Sequence, residues 1–526
     1  MKTFQSLLIL LPALLVGFSC VRHGDDPYRP EEPSSEPTTH EMIVLGEKLE
    51  DPYSVDNVTK ALESLYPTKS GRIQLDATDY YVRFLPADET EYVRLVEMGI
   101  ELMDHPLDYQ ILKDGDYYHD PQLAEDAITW QYGVVPEHFR FPDDIRYEIL
   151  ERCYLVEHDT RAETDGIDWA AVEREAYRLT GNEDLLTQQT RASDKRPQGR
   201  ITIVDEASNG GQAFGVAGVR VIGHTFVKFS SAYTDRDGYY VLSKRYSSSI
   251  RYRLMFRNRK GFALGVNLVL IPASMSALGK GPATGLDITV SAASDRKLFT
   301  RCVVNNAVYD YYERCVEEDL DLPRPPANLR IWLFQNLTES GTWMMRQGTV
   351  LDNLLLRQYL GPYASLISIF LPDITLGLKG LETYPDIYKA AMHELAHATH
   401  FVRAGKAYWT RYVLYIVASW LRTGRRYGDG SGPDAGCCEV AEMWAHHLQD
   451  RLCDDRYGDR MTEEDPIHWF SPRILRYLGE RGLSPSDLLR AMNADVRDRE
   501  SLQRRLTELY PAYAVHIREA FDYYAR

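Results

Sequence analysis

The chain has 526 residues, 44% apolar, 26% charged and 11% aromatic, with a net charge of −17. That is the make-up of an ordinary globular protein, too long for one hydrophobic core, so two or three folded units are expected. The acidic balance, with no long basic run, argues against nucleic acid as a partner, because phosphate binding needs clustered Lys and Arg.

At the start, Lys2 supplies a positive charge, residues 4–18 form an apolar run, and small Gly17 and Ser19 precede Cys20. The run is too short for a spanning helix with ordinary flanks, and residues 1–20 read as a signal peptide. The placement of Cys20 resembles the lipobox of bacterial lipoproteins, although Gly17 stands where Leu is usual and Phe18 is bulky. The resemblance implies cleavage before Cys20 and lipid on its sulfur. It also implies an exported protein held in the cell envelope, at the outer membrane, through that lipid. Residues 21–45 are polar and carry Asp25, Asp26, Glu31, Glu32 and Glu36, the composition of a tether. Six further cysteines, Cys153, Cys302, Cys315, Cys437, Cys438 and Cys453, are an even number that an exported protein can pair.

The expected fold class is multidomain α+β. Residues 46–190 read as a mixed α/β domain. A strand is expected at residues 80–85, ended by Pro86, then a helix at 87–98 stopped by Gly99, then a strand at 100–103. Helical, acid-rich sequence is expected from there to Leu186. Packing is the favoured role, with a propeptide cleaved near residues 195–200 as the alternative. Residues 188–200 form a polar linker.

Residues 199–295 are rich in short strand candidates at the spacing of a β-sandwich, among them 201–204, 215–221, 239–242 and 252–256. Gly199, Gly218 with the Val-Arg-Val that follows it, and Thr234-Asp-Arg-Asp-Gly-Tyr-Tyr resemble the carboxypeptidase-regulatory-like domain. The resemblance implies a structural or spacing module in which Asp235 and Asp237 form a turn. The spacing lacks the later ligands of a calcium loop.

Residues 296–526 are expected to be mostly helical, with a helix at 305–320 and strands at 328–334 and 373–379. From Tyr384 onward the sequence is helical and contains His393, Glu394 and His397 in the pattern HExxH. On a helix, His393 and His397 project from one face and can offer imidazole nitrogens to one metal. Zinc suits them. Glu394, turned about 100° from His393, flanks the ion as a general base. Position 403 is Arg, which excludes a metzincin-type third His. A later helix offers Glu439 and Glu442, three apart and on one face. Residues 409–421 are aromatic and apolar and read as core, since Arg411 and Arg422 do not suit a spanning segment.

Glu442, Trp444 and Ala445 resemble the Glu-x-aromatic-Ala pattern of gluzincin metallopeptidases. That likeness covers about residues 300–450 and implies a zincin-like domain with His393, His397 and Glu442 as zinc ligands and Glu394 as base. Glu439 is the runner-up ligand. The chain departs from thermolysin-like members at His446, where an Asp usually orients the first His. His400 and His446 are candidates for lining the cleft or supporting the ligands. Tyr408, Tyr412, Tyr415, His446 and His447 are all candidates to stabilise an oxyanion. The implied activity is zinc-dependent hydrolysis of peptide bonds in a peptide or protein substrate. The strand at 373–379 is then expected to be the edge strand that pairs with it. The rival reading is an inactive zincin-like binding or adhesion lipoprotein, or an accessory surface protein.

Overall fold

The computed structural model describes residues 42–526 apart from 71–72, 125–126, 160–165, 188–195, 266–274, 319, 336–339, 350–372, 424, 426, 459–468 and 525–526. The expected signal peptide, Cys20 and most of the expected tether lie outside the described residues. The last tether residues do not: Val44 and Leu45 begin β1 (Val44–Lys48), which pairs with β3 (Tyr109–Lys113).

The fold mixes helices and several sheets. In the N-terminal region, β2 (Asp79–Leu85) lies between β4 (Gln131–Pro136) and β5 (Arg146–Cys153) in an antiparallel sheet. Helices α1 (Val55–Leu65), α2 (Glu89–Glu97) and α3 (Trp169–Leu179) accompany it. The Asp88 side chain accepts the Glu91 N–H at the start of α2, and Gly99, at φ +86°, lets the chain turn after it. Two expectations fail here. Residues 100–103 form no strand, Met103 making one bridge to Tyr132. The stretch expected to be helical contains β3, which pairs with β1, and β4 and β5, which take the two sides of β2; local propensity does not register such pairing.

Strands β6 (Gln198–Ile203), β7 (Phe214–Gly215), β8 (Arg220–Thr225), β9 (Lys228–Tyr233), β10 (Tyr239–Val241), β11 (Ile250–Met255), β12 (Phe262–Gly265), β13 (Met275–Gly281) and β14 (Ile288–Val290) follow. One sheet has the order β10-β6-β14 with β7 on β6, the other β13-β11-β8-β9. Asp235 makes a turn, its Oδ1 accepting from the N–H groups of Asp237 and Tyr239 at 2.9 Å each. Along β11, Tyr252 and Leu254 enter the core shared by both sheets. Arg251 and Arg253 alternate with them and take the opposite face.

β12 leaves this arrangement and pairs in parallel with β15 (Leu329–Phe334). The resulting sheet has the order β12-β15-β17-β16, with β16 (Gly341–Thr342) and β17 (Ile374–Gly377). The expected edge strand, β17, is therefore interior, held by β15 on one side and β16 on the other.

The rest is helical: α4 (Arg296–Tyr312), α5 (Tyr384–Thr423), α6 (Ala435–Tyr457), α7 (Arg473–Glu480), α8 (Pro485–Ala491), α9 (Arg499–Leu509) and α10 (Ala514–Tyr524). One continuous core runs from Ile201 and Leu254 through Val304 and Leu395 to Phe521. It includes Trp409, Tyr412, Val413, Tyr415 and Ile416. No helix among the described residues is long and apolar enough to cross a membrane. The six described cysteines are buried, and none is in a disulfide among the described residues, so the pairing that their even number permits is not present there.

Acidic side chains of the N-terminal region meet basic ones of the remainder along their junction. Glu89 pairs with Arg330, Glu101 with Arg220, Asp114 with Arg251, and Asp116 with Lys297 and Arg301.

Candidate metal centre

Helix α5 starts on a reciprocal cap. The Thr383 hydroxyl accepts from Asp386 N at 3.3 Å, and the Asp386 carboxylate accepts from Thr383 N at 3.1 Å. Pro385 follows in the first turn, where a missing N–H costs little. One turn then separates His393 from His397, whose rings meet edge to face at 4.8 Å. Helix α6 packs along α5 through Ala441 and Ala445, both fully buried, and the Trp444 indole N–H donates to the Ala396 carbonyl at 2.9 Å. This close approach brings Glu442 to the histidines. Its Oε2 lies 3.3 Å from His393 Nε2 and its Oε1 3.4 Å from His397 Nε2. One donor atom from each of the three residues lies within 4.8 Å of the others. His393, Glu394, His397 and Glu442 are all 0% exposed.

The charge state suits a cation. Burial lowers the His393 pKa to about 4, leaving a neutral imidazole at pH 7. Burial pushes the Glu442 carboxyl up, but the two facing histidines outweigh it and hold the group well below the usual range. Two imidazoles and a carboxylate form a donor set that zinc accepts. Their donor atoms, one from each residue, lie within 4.8 Å of one another, close enough to share one ion. The residues therefore fit a metal ion.

Three neighbours support the cluster. Gln449 Oε1 lies 3.1 Å from His393 Nδ1, and the Tyr412 hydroxyl donates to Glu442 Oε1 at 2.7 Å. The Thr342 hydroxyl stands 2.7 Å from Glu394 Oε2. Tyr412 reaches the site because α5 breaks at Gly405, where φ is +82° and ψ 169°. On a straight helix, fifteen residues would carry Tyr412 about 22 Å from His397; the rings are instead 5.7 Å apart. Only a residue without Cβ takes that conformation freely.

The other candidates are placed elsewhere. Glu439 turns away to Arg499, whose Nε donates to its Oε1 at 2.6 Å. His446 packs its ring 4.7 Å from His393, and the group at His393 Nδ1 is Gln449. His400 is 0% exposed, against Tyr408 and Trp409 rather than lining an open cleft, and its ring nitrogens have no hydrogen-bond partner among the described residues. The hydroxyls of Tyr408 and Tyr415 donate to the carbonyls of Cys437 and Tyr427. His447 lies beside Trp444. Backbone pairing at the outer strand is also limited, because the Trp409 indole donates to the Thr342 carbonyl at 3.0 Å.

Gln449 and Thr342 were missed from sequence. Gln449 had a signal, since it lies two turns beyond Glu442 on the same face. Thr342 had none, coming from a two-residue strand far upstream of the motif.

Comparison with known proteins yields no match to a family model, a curated protein or a solved structure.

Proposed function

We propose that this chain is a zinc-dependent peptidase of the gluzincin-like zincin type, exported and anchored to the cell envelope by lipid on Cys20. The observation that carries the reading is the convergence of His393, His397 and Glu442 within 4.8 Å, beside Glu394 on the same helix. In this reading residues 296–526 form the catalytic unit and residues 199–295 a carboxypeptidase-regulatory-like spacer.

His393, His397 and Glu442 would hold the zinc, and Gln449 and Tyr412 would fix the orientation of the first imidazole and of the carboxylate. When bound, zinc supplies Lewis-acid chemistry, lowering the pKa of water and polarising a carbonyl. Glu394 is the general base. It takes a proton from the attacking water on a carboxylate oxygen and delivers it to the leaving amine nitrogen. The Thr342 hydroxyl, 2.7 Å from Oε2, holds that carboxylate in one orientation. The choice of a peptide bond as target rests on the resemblance in the motif pair.

A second reading, an inactive metal-holding lipoprotein that binds or adheres, is favoured by one observation: all four central residues are 0% exposed. Zinc analysis and turnover separate the possibilities. The purified chain from Val21 onward should hold about one zinc and hydrolyse peptides from a mixed library, and Glu394→Gln should keep the zinc and lose the hydrolysis. Zinc without turnover in the wild type would favour the binding protein. A folded wild type that takes up no zinc would end both.

A further inference from the structure

One face of the β13-β11-β8-β9 sheet is turned toward the N-terminal region. Residues paired across antiparallel strands share a face, so Arg251 and Arg253 of β11 stand with His224 and Ile222 of β8. The segment carrying Asp104, His105, Asp114 and Asp116 meets them there.

The carboxylates of this junction are committed. Asp114 gives both oxygens to Arg251, at 3.2 and 3.3 Å. Asp116 is taken by Lys297 and by Arg301, the latter at 2.9 Å. Asp104 accepts from Tyr118 N at 2.6 Å and lies 3.0 Å from His105 Nδ1. Arg253 is left over. It is 1% exposed, its Nη2 is 3.8 Å from Asp114, and none of its three nitrogens has a hydrogen-bond partner among the described residues. His224, 3% exposed, is in the same position at both ring nitrogens, and His105, 0% exposed, at Nε2.

Charge is unbalanced as well. Among the described residues, Arg251, Arg253, Lys297 and Arg301 meet Asp104, Asp114 and Asp116. Burial lowers the pKa of His105 and takes that of His224 well below its ordinary value, so both are neutral; His224 has one N–H to offer, whereas His105 spends its proton at Nδ1 on the Asp104 carboxylate and keeps a bare Nε2. Water could satisfy an N–H, but it cannot neutralise a guanidinium, which does not release its proton. Arg253 has Asp114 at 3.8 Å but no hydrogen bond among the described residues, and a buried charge that is not hydrogen-bonded is disfavoured.

We propose that this junction encloses one small monovalent anion of the chloride class, held by the Arg253 guanidinium and the N–H of His224, and that the ion helps pin the N-terminal region to the β unit. The imidazole centroids are 6.2 Å apart and the donors are sealed from solvent.

Crystals of the purified protein grown in bromide test this by anomalous scattering. One bromide per chain is expected within hydrogen-bond reach of Arg253 and His224. The melting temperature should be several degrees higher in chloride than in gluconate at equal ionic strength, and Arg253→Met should lose that difference. Ordered water alone at Arg253, or an undiminished chloride effect in Arg253→Met, would overturn the proposal. Should Arg253→Met fail to fold, the wild-type anomalous map decides by itself.

Discussion

The molecule buries two clusters of ionisable groups, and they are chemical opposites. Around His393, His397 and Glu442, lone pairs converge while hydroxyl and amide groups of Tyr412 and Gln449 orient them from behind. Around Arg253 and His224, buried N–H donors are left without hydrogen-bond partners among the described residues, and the nearby carboxylates bond elsewhere. Both places are sealed from solvent, so burial alone says nothing about what they hold. The sign of the ligand follows from which kind of atom is left over after the protein's own hydrogen bonds are made: acceptors call for a cation, donors for an anion.

The contrast breaks most sharply at Glu394. If the acceptor cluster is catalytic, Glu394→Gln lowers peptide turnover by at least about 10²-fold with zinc content unchanged by metal analysis. An equal turnover in that variant would remove the general base from the mechanism. Next, Glu442→Ala should abolish zinc binding, whereas Glu439→Ala should keep the metal and instead lose about 1–3 kcal/mol in denaturant unfolding, because Arg499 loses its buried partner. The reverse pattern of zinc loss would mean that the wrong carboxylate faces the histidines. A smaller effect belongs to the supports. Gln449→Ala and Tyr412→Phe should each weaken zinc about 10–100-fold in chelator competition, and unaltered affinity in both would show that they do not orient the ligands.

The smallest effect is a control on histidines outside either cluster. Burial lowers His447 from 6.5 to about 4. Between these values the unfolded chain binds the extra proton and the native protein does not. His447 therefore contributes stability that is fully present above pH 6.5 and is lost as pH falls toward about 4. His447→Gln should flatten the acid limb of the stability–pH curve; a limb as steep as in the wild type would place the acid sensitivity elsewhere.

Much of the candidate site was open to inspection in the sequence because it is local. His393 and His397 share a face by helix periodicity alone, Pro385 sits where that helix can begin, and Glu442 with Ala445 marks a second helix able to pack closely. Local chemistry likewise made the Asp235 turn and the α2 helix between Asp88 and Gly99 readable. Whether Glu439 or Glu442 meets the histidines was a different matter, since residues three apart share a helix face and only packing against Arg499 separates them. The same holds for Thr342, carried in from a distant strand, and for Tyr412, returned to the site by the break at Gly405. Strand pairing was the least visible of all. β12 joins a sheet with β15, and β4 and β5 flank β2, through contacts that no window of sequence contains. The amino-acid sequence by itself determined which side chains stand one turn or two residues apart, because backbone geometry sets those periods. Only the tertiary structure decided which of those faces meet, because that depends on non-local packing and on which buried polar atoms find partners.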